Sequence, residues 1–276
     1  WQEPTKGEAF ESLIRRIYGA ENEPAVVLVF AVFKSRWNMQ SDYIPLGKIY
    51  NLPMISILDA VVPALDEEHT LSEDLFFSDI YHPTQYGHRI MADCITYMFE
   101  QLDAAEVDEP YALPQQSWNG GSYEHVAMID STRQEAVTQL SAGGFSGKDN
   151  ALGNYRYGER PKTFPDNWMH QAESGDEAFR MKLSCKSLLM AYKQSGDKKF
   201  GSVDVYVDGE FVTKVDGYSD GGWNNPVPVQ LIKGREEAEH VVEIKMSEGS
   251  EDKNFSILAF AAGLDADAAE EGSKEE

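Results

Sequence analysis

Basic residues are scarce in this 276-residue chain. Its 24 Lys and Arg stand against 47 Asp and Glu, a formal net charge of −23. Nucleic acid or an anionic bilayer would be repelled by such a surface, which leaves neutral partners such as sugars or uncharged esters. Cysteine is nearly absent. Cys94 and Cys185 lie among apolar residues in separate segments and read as small buried hydrophobes. They form neither a zinc spacing nor a disulfide framework, and they leave the compartment open between an extracellular and a cytoplasmic one. No run approaches the roughly 20 apolar residues of a membrane span. The chain opens Trp1-Gln2-Glu3-Pro4, without Met or a basic stretch ahead of an apolar one, and reads as a mature or interior fragment.

Hydrophobic periodicity divides what is present into two textures. Thr5 followed by Glu8 is a capping-box pattern, and Phe10, Leu13, Ile14 and Ile17 recur at helical spacing, which predicts a helix over 5–19. Residues 25–33 form a continuous apolar run rich in Val and Phe, the pattern of a strand buried on both faces of a parallel sheet. A helix over 39–50, a short strand over 52–57, a polar loop over 66–83 and a long helix over 84–102 complete half of a doubly wound α/β domain. In the last helix Met91, Cys94, Ile95, Met98 and Leu102 share a face. Residues 103–114 read as a linker. Beyond it, short alternating runs between Gly, Asn and Asp clusters predict strands over 179–191, 201–207, 211–215, 227–231, 240–246 and 255–261. Asp208-Gly209 between two such runs marks a hairpin with a type I′ turn. This texture predicts an all-β sandwich, jelly-roll-like, over 115–263, followed by an acidic tail over 264–276 with the composition of disorder.

The segment Phe77-Ser78-Asp79-Ile80-Tyr81-His82-Pro83-Thr84-Gln85-Tyr86-Gly87-His88 carries the chemistry. A serine hydroxyl needs a base with a pKa near neutrality, which imidazole supplies. The imidazole in turn needs a carboxylate on its other nitrogen to hold one tautomer. Asp79 and His82 share one loop and can meet that need locally. Pro83 can stiffen the exit and Thr84 can cap the next helix. The segment resembles the last conserved block of SGNH (GDSL-type) hydrolases, and the resemblance covers residues 1 to about 102, including Phe10-Glu11-Ser12-Leu13-Ile14-Arg15-Arg16-Ile17 and Tyr50-Asn51-Leu52-Pro53-Met54-Ile55-Ser56.

That resemblance implies a partial flavodoxin-like, three-layer parallel-sheet domain over 1–102, followed by an accessory β-sandwich. It also implies an esterase that removes acetyl or other short acyl groups from carbohydrates, with His82 as general base and Asp79 as its orienter. The substrate would be an acylated carbohydrate or another small ester, and no metal or organic cofactor is implied. The chain departs from the family in one respect. The family's nucleophile lies in a Gly-Asp-Ser block, and its oxyanion hole draws on that block, a Gly and an Asn from two others. No Gly-Asp-Ser occurs here, and Ser219-Asp220-Gly221 has the reverse order. The expectation is a chain that starts just after the Asn block, lacks the N-terminal half of the catalytic domain, and is inactive by itself. The rival expectation is a non-catalytic carbohydrate-binding or surface-interaction protein.

The remaining polar and aromatic candidates divide as follows. His88 reads as a partly buried helix histidine, and His69, His125, His170 and His240 are scattered without a metal-site pattern. Glu73 and Asp74 read as a solvated loop. Trp118, Trp168 and Trp223 are either sandwich packing or sugar-stacking residues. Trp37 and Asn38 follow the first strand, where substrate loops of such folds lie.

Overall fold

The computed structural model describes residues 4–22, 24–105, 112–152 and 164–266. The chain divides into two compact units, one formed by Leu13–Asn119 and the other by Trp1–Ser12 with Gly120–Glu276. Residues 106–111 of the segment expected to be a linker and 267–276 of the acidic tail lie outside the described residues.

Parallel pairing of two short strands organises the α/β unit. Strand β1 (Leu28–Phe30) pairs with β2 (Met54–Ser56) in the register Leu28 to Met54. Helix α1 (Glu8–Tyr18) precedes β1, and α2 (Gln40–Ile49) connects the two strands. After β2 come α3 (Ile57–Val62), a π-helical turn (Pro63–Glu67), α4 (Glu73–Phe76) and the long α5 (Gln85–Ala104). Helix α1 begins where Thr5 Oγ1 accepts the Ala9 N–H at 3.0 Å. Glu8, which falls with Ser122 in the other unit, accepts the Ser122 N–H at 3.0 Å. The core gathers Val32, Ile55, Ile57, Val61, Leu65, Phe76 and Phe77, with Ile90, Met91, Cys94, Ile95 and Met98 of α5 packed on it.

Three expectations are corrected here. The first strand covers three residues rather than nine, and Val29 within it is 42% exposed. Among the described residues β1 pairs on one edge only, with β2. The loop expected over 66–83 contains α4. Leu102 and Leu13, assigned to core faces by periodicity, are exposed.

The second unit is all-β. Its eight-stranded antiparallel sheet has the order β3 (Val126–Ile129), β10 (Phe255–Gly263), β6 (Phe179–Ser195), β9 (Trp223–Met246), β7 (Ser202–Val207), β8 (Glu210–Asp216). Strand β4 (Val137–Ser141) adds to β6 and β5 (Trp168–His170) adds to β10. Two long strands make it a sandwich. The first half of β6 pairs with the second half of β9 and with β4, and its second half pairs with the first half of β9 and with β10. A register shift between Cys185 and Ser187 changes the inward parity: Phe179, Met181, Leu183 and Cys185 face the core before it, and Leu188, Met190 and Tyr192 after it. The bulge thus keeps one apolar face inward through the bend. The two runs expected as separate strands over 227–231 and 240–246 are parts of one 24-residue strand. The predicted hairpin forms: Val207 pairs with Glu210, and Asp208 and Gly209 have φ of 53° and 85°, as a type I′ turn requires.

One buried ion pair in this unit is fully partnered, whereas the buried His170 Nε2 has no hydrogen-bond partner among the described residues. Lys193 and Asp149, both almost fully buried, meet at 2.7 Å. Ser256 Oγ donates to the same carboxylate at 2.6 Å, and the Ala151 N–H donates at 2.8 Å. Burial pushes the Asp149 carboxyl up, but Lys193, Ser256 and Ala151 outweigh it and hold it below its ordinary value. Cys185 is fully buried, and burial pushes its thiol up to about 12. Among the described residues no helix is long and apolar enough to cross a membrane.

Candidate functional site

The loop between α4 and α5 is fixed at both ends before its own side chains act. Phe76 and Phe77 are buried edge to face at 4.7 Å, which anchors the entry. At the exit the Thr84 N–H donates to the Phe76 carbonyl at 2.8 Å, and Thr84 Oγ1 donates to the Leu75 carbonyl at 2.5 Å. The same hydroxyl oxygen accepts the Gly87 N–H at 3.0 Å and so caps α5. Gly87 lets α5 approach this closely: a Cβ there would lie 2.4 Å from the Phe76 carbonyl oxygen and 2.8 Å from Pro83 Cβ. Within the loop, both the N–H and the hydroxyl of Ser78 donate to the His82 carbonyl.

Asp79 and His82 come together as the spacing predicts. The imidazole Nδ1 lies 3.0 Å from Asp79 Oδ1 and 2.9 Å from Oδ2. Oδ1 also accepts the backbone N–H groups of Tyr81 at 2.7 Å and His82 at 2.8 Å. The Tyr81 N–H, the His82 ring and the His82 N–H together hold the Asp79 carboxyl below its ordinary value. An ionised carboxylate offers only lone pairs, so Nδ1 carries the proton and Nε2 is left as an acceptor. Nε2 has no hydrogen-bond partner among the described residues, and the His82 side chain is 72% exposed. The arrangement can therefore take a proton from an approaching hydroxyl. Ser78, the nearest serine in sequence, has its hydroxyl turned to the His82 carbonyl instead.

The segment after β1 braces this loop. The Lys34 N–H donates to the Ile80 carbonyl at 3.1 Å. Arg36, at φ 65°, makes a two-pronged contact with Asp66 at 2.9 and 2.5 Å and reaches Glu73 at 2.8 Å. Lys34 Nζ also pairs with Glu73 at 3.3 Å. Hydrogen bonds from Arg36, joined at Glu73 by Lys34, hold the Asp66 and Glu73 carboxyls below their ordinary values. Glu73 is thus part of an ion-pair network rather than a purely solvated loop. Asp74 is the solvated one, 97% exposed beside Lys34. Sequence reasoning missed Lys34, Arg36 and Asp66, whose separations carry no local signal.

The other candidates fall out as follows. His88 is exposed rather than partly buried. His240 meets Asp208 at 2.7 Å across 32 residues, but its side chain is only 19% exposed. An Asp–His contact is therefore not distinctive in this chain; the accessibility of His82 is. Trp168 is buried against Phe179 and Phe260, which removes it as a stacking residue. Trp118, in the α/β unit, and Trp223 at the start of β9 are exposed. Asn38 donates to the Ala31 carbonyl and accepts the Gln40 N–H, so its side chain shapes the start of α2. A cavity of about 550 Å³ lies between β2, α3 and α5, lined by Met54, Ile55, Cys94 and Met98 among others, and neither Asp79 nor His82 lines it.

No family model and no curated protein matches this chain. Solved structures do. A two-domain esterase active on acetylated mannans, co-crystallised with mannopentaose, is similar at a TM-score of 0.70 and 22% identity, over 94% of this chain and 68% of its own. A second structure described as a two-domain esterase active on acetylated mannans gives the same score and identity over 94% and 69%. A CBM35 module from Cellvibrio japonicus covers 49% of this chain and 91% of its own at 9% identity, and its TM-score of 0.30 is too low to carry an argument. The likeness to the two-domain esterases shows the fold, an α/β unit joined to a β-sandwich.

Proposed function

We propose that this chain belongs to a serine esterase of the SGNH type that removes acyl groups from carbohydrates. The observation that carries the reading is the contact between His82 Nδ1 and Asp79, which leaves Nε2 solvent-facing as an acceptor. The fold-level likeness to esterases active on acetylated mannans supports the substrate class.

In this reading a serine hydroxyl approaches Nε2. The ring takes its proton as the oxygen attacks the acyl carbon, then gives that proton to the departing sugar hydroxyl. A water repeats the cycle on the acyl-serine, with the same nitrogen as base. Asp79 stays ionised throughout and stabilises the imidazolium formed in each step. A general base of this kind contributes roughly 10²–10⁴-fold. The 276 residues contain no Gly-Asp-Ser block, so the polypeptide by itself is expected to release acetate no faster than buffer. A second reading, a non-catalytic carbohydrate-binding or surface-interaction protein, is favoured by that same absence and by exposed Trp223.

The test is acetate release from an acetylated manno-oligosaccharide by the full-length gene product. His82→Ala should lower kcat/KM by at least about 10³-fold, and Asp79→Asn by about 10²–10⁴-fold, with melting temperature unchanged. Hydrolysis that survives His82→Ala overturns the reading.

A further inference from the structure

The segment following β1 places a row of aromatic rings beside the Asp79–His82 loop. Trp37 stacks on Phe33 with centroids 5.5 Å apart and planes 17° from parallel. Phe33 meets Tyr81 edge-on at 5.4 Å, and Tyr81 meets the His82 ring edge-on at 6.4 Å. With one face of its indole on Phe33, Trp37 as a residue is 41% exposed, and Tyr81 is 57% exposed. The segment is held rigidly. The Phe33 N–H donates to the Trp37 carbonyl, the Arg36 N–H donates to the Phe33 carbonyl, and the Arg36 side chain is pinned by Asp66 and Glu73. It follows the carboxyl end of β1, the side of a parallel sheet on which ligands of open α/β folds sit.

A large indole held outward in a fixed pose is costly to leave in water and needs no ordering to bind. Its flat apolar face with a polar N–H matches the C–H face of a pyranose. Lys34 and Arg36, the cations just before Trp37 in sequence, are already paired with Asp66, Glu73 and Asp74, which favours an uncharged ring over a uronic acid.

We infer that Trp37, backed by Phe33 and flanked by Tyr81, is a stacking subsite for a neutral hexose next to the ester-bearing sugar. The inference rests on the esterase reading and sharpens it by assigning the residue that selects a carbohydrate over a simple ester. Asn38, engaged with Ala31 and Gln40, only positions the loop.

Kinetics of the full-length gene product on the acetylated manno-oligosaccharide and on para-nitrophenyl acetate test it. Trp37→Ala should raise KM for the oligosaccharide by about three- to ten-fold, leave kcat unchanged, and leave para-nitrophenyl acetate hydrolysis unchanged. Trp37→Phe should retain most of the affinity. An equal fall in kcat on both substrates would make Trp37 a support of the catalytic loop and overturn the subsite, as would no change on either. If the protein hydrolyses neither substrate, the esterase reading fails alone. In that case the oligosaccharide is titrated into the protein by calorimetry: binding lost in Trp37→Ala upholds the subsite, and no binding to the unaltered protein ends it.

Discussion

The two units use their apolar side chains differently. In the β-sandwich, long strands bring Phe179, Phe260, Trp168 and Phe145 into a shared core, and even the ammonium of Lys193 is enclosed with its partner. In the α/β unit the parallel sheet has only two strands among the described residues, and Trp37, Ile80, Tyr81, Tyr97 and Phe99 face outward. The contrast separates a unit whose side chains are committed to its own interior from one that leaves aromatic surface exposed, with Tyr81 beside a candidate base. Stability in the first rests on burial and on the enclosed Lys193–Asp149 pair. The Asp79–His82 contact in the second rests on a short loop clamped by backbone hydrogen bonds.

The largest effect expected from breaking this contrast lies in the sandwich. Asp149→Ala leaves the Lys193 ammonium buried without its carboxylate, and should cost about 3–5 kcal/mol. In chemical denaturation the sandwich transition should move to lower denaturant, while amide signals of the 77–88 loop keep their positions until it does. A change under about 1 kcal/mol would mean that water reaches Lys193 and that the unit is less closed than its packing indicates. A smaller effect is expected in the α/β unit. Gly87→Ala forces a Cβ against the Phe76 carbonyl and Pro83, at a cost of about 1–3 kcal/mol. The chemical shifts of Asp79 and His82 should move while those of Phe179 and Phe260 do not. Unmoved loop signals would show that the close approach of α5 does not set the loop.

Local features were the legible ones. Asp79 and His82 are three residues apart, and Thr84 caps the next helix, so one short window of sequence holds the contact. The Asp208-Gly209 hairpin is local in the same way. What failed depended on distant partners. Residues 25–33 read as a doubly buried strand because apolar composition does not reveal whether neighbouring strands exist, and Val29 came out exposed. The strands over 227–231 and 240–246 fused because antiparallel pairing with β6 carries β9 through the polar stretch between them. Three tryptophans looked equivalent in sequence, yet Trp168 lies in the core and Trp118 and Trp223 do not, a choice made by tertiary packing alone. The clamp of Arg36 on Asp66 and Glu73 spans 30 and 37 residues and left no pattern to read. The nucleophile expected by family resemblance corresponds to no Gly-Asp-Ser in these residues.

Whether Asp79 sets the protonation of His82 can be measured without any substrate. Long-range proton–nitrogen NMR on the 276-residue chain, at a pH where the ring is neutral, reports which imidazole nitrogen bears the hydrogen. The account predicts the Nδ1–H form with Nε2 unprotonated, and a shift away from that form in Asp79→Asn. A neutral ring with its hydrogen on Nε2 would contradict it, because the nitrogen needed as proton acceptor would already be a donor.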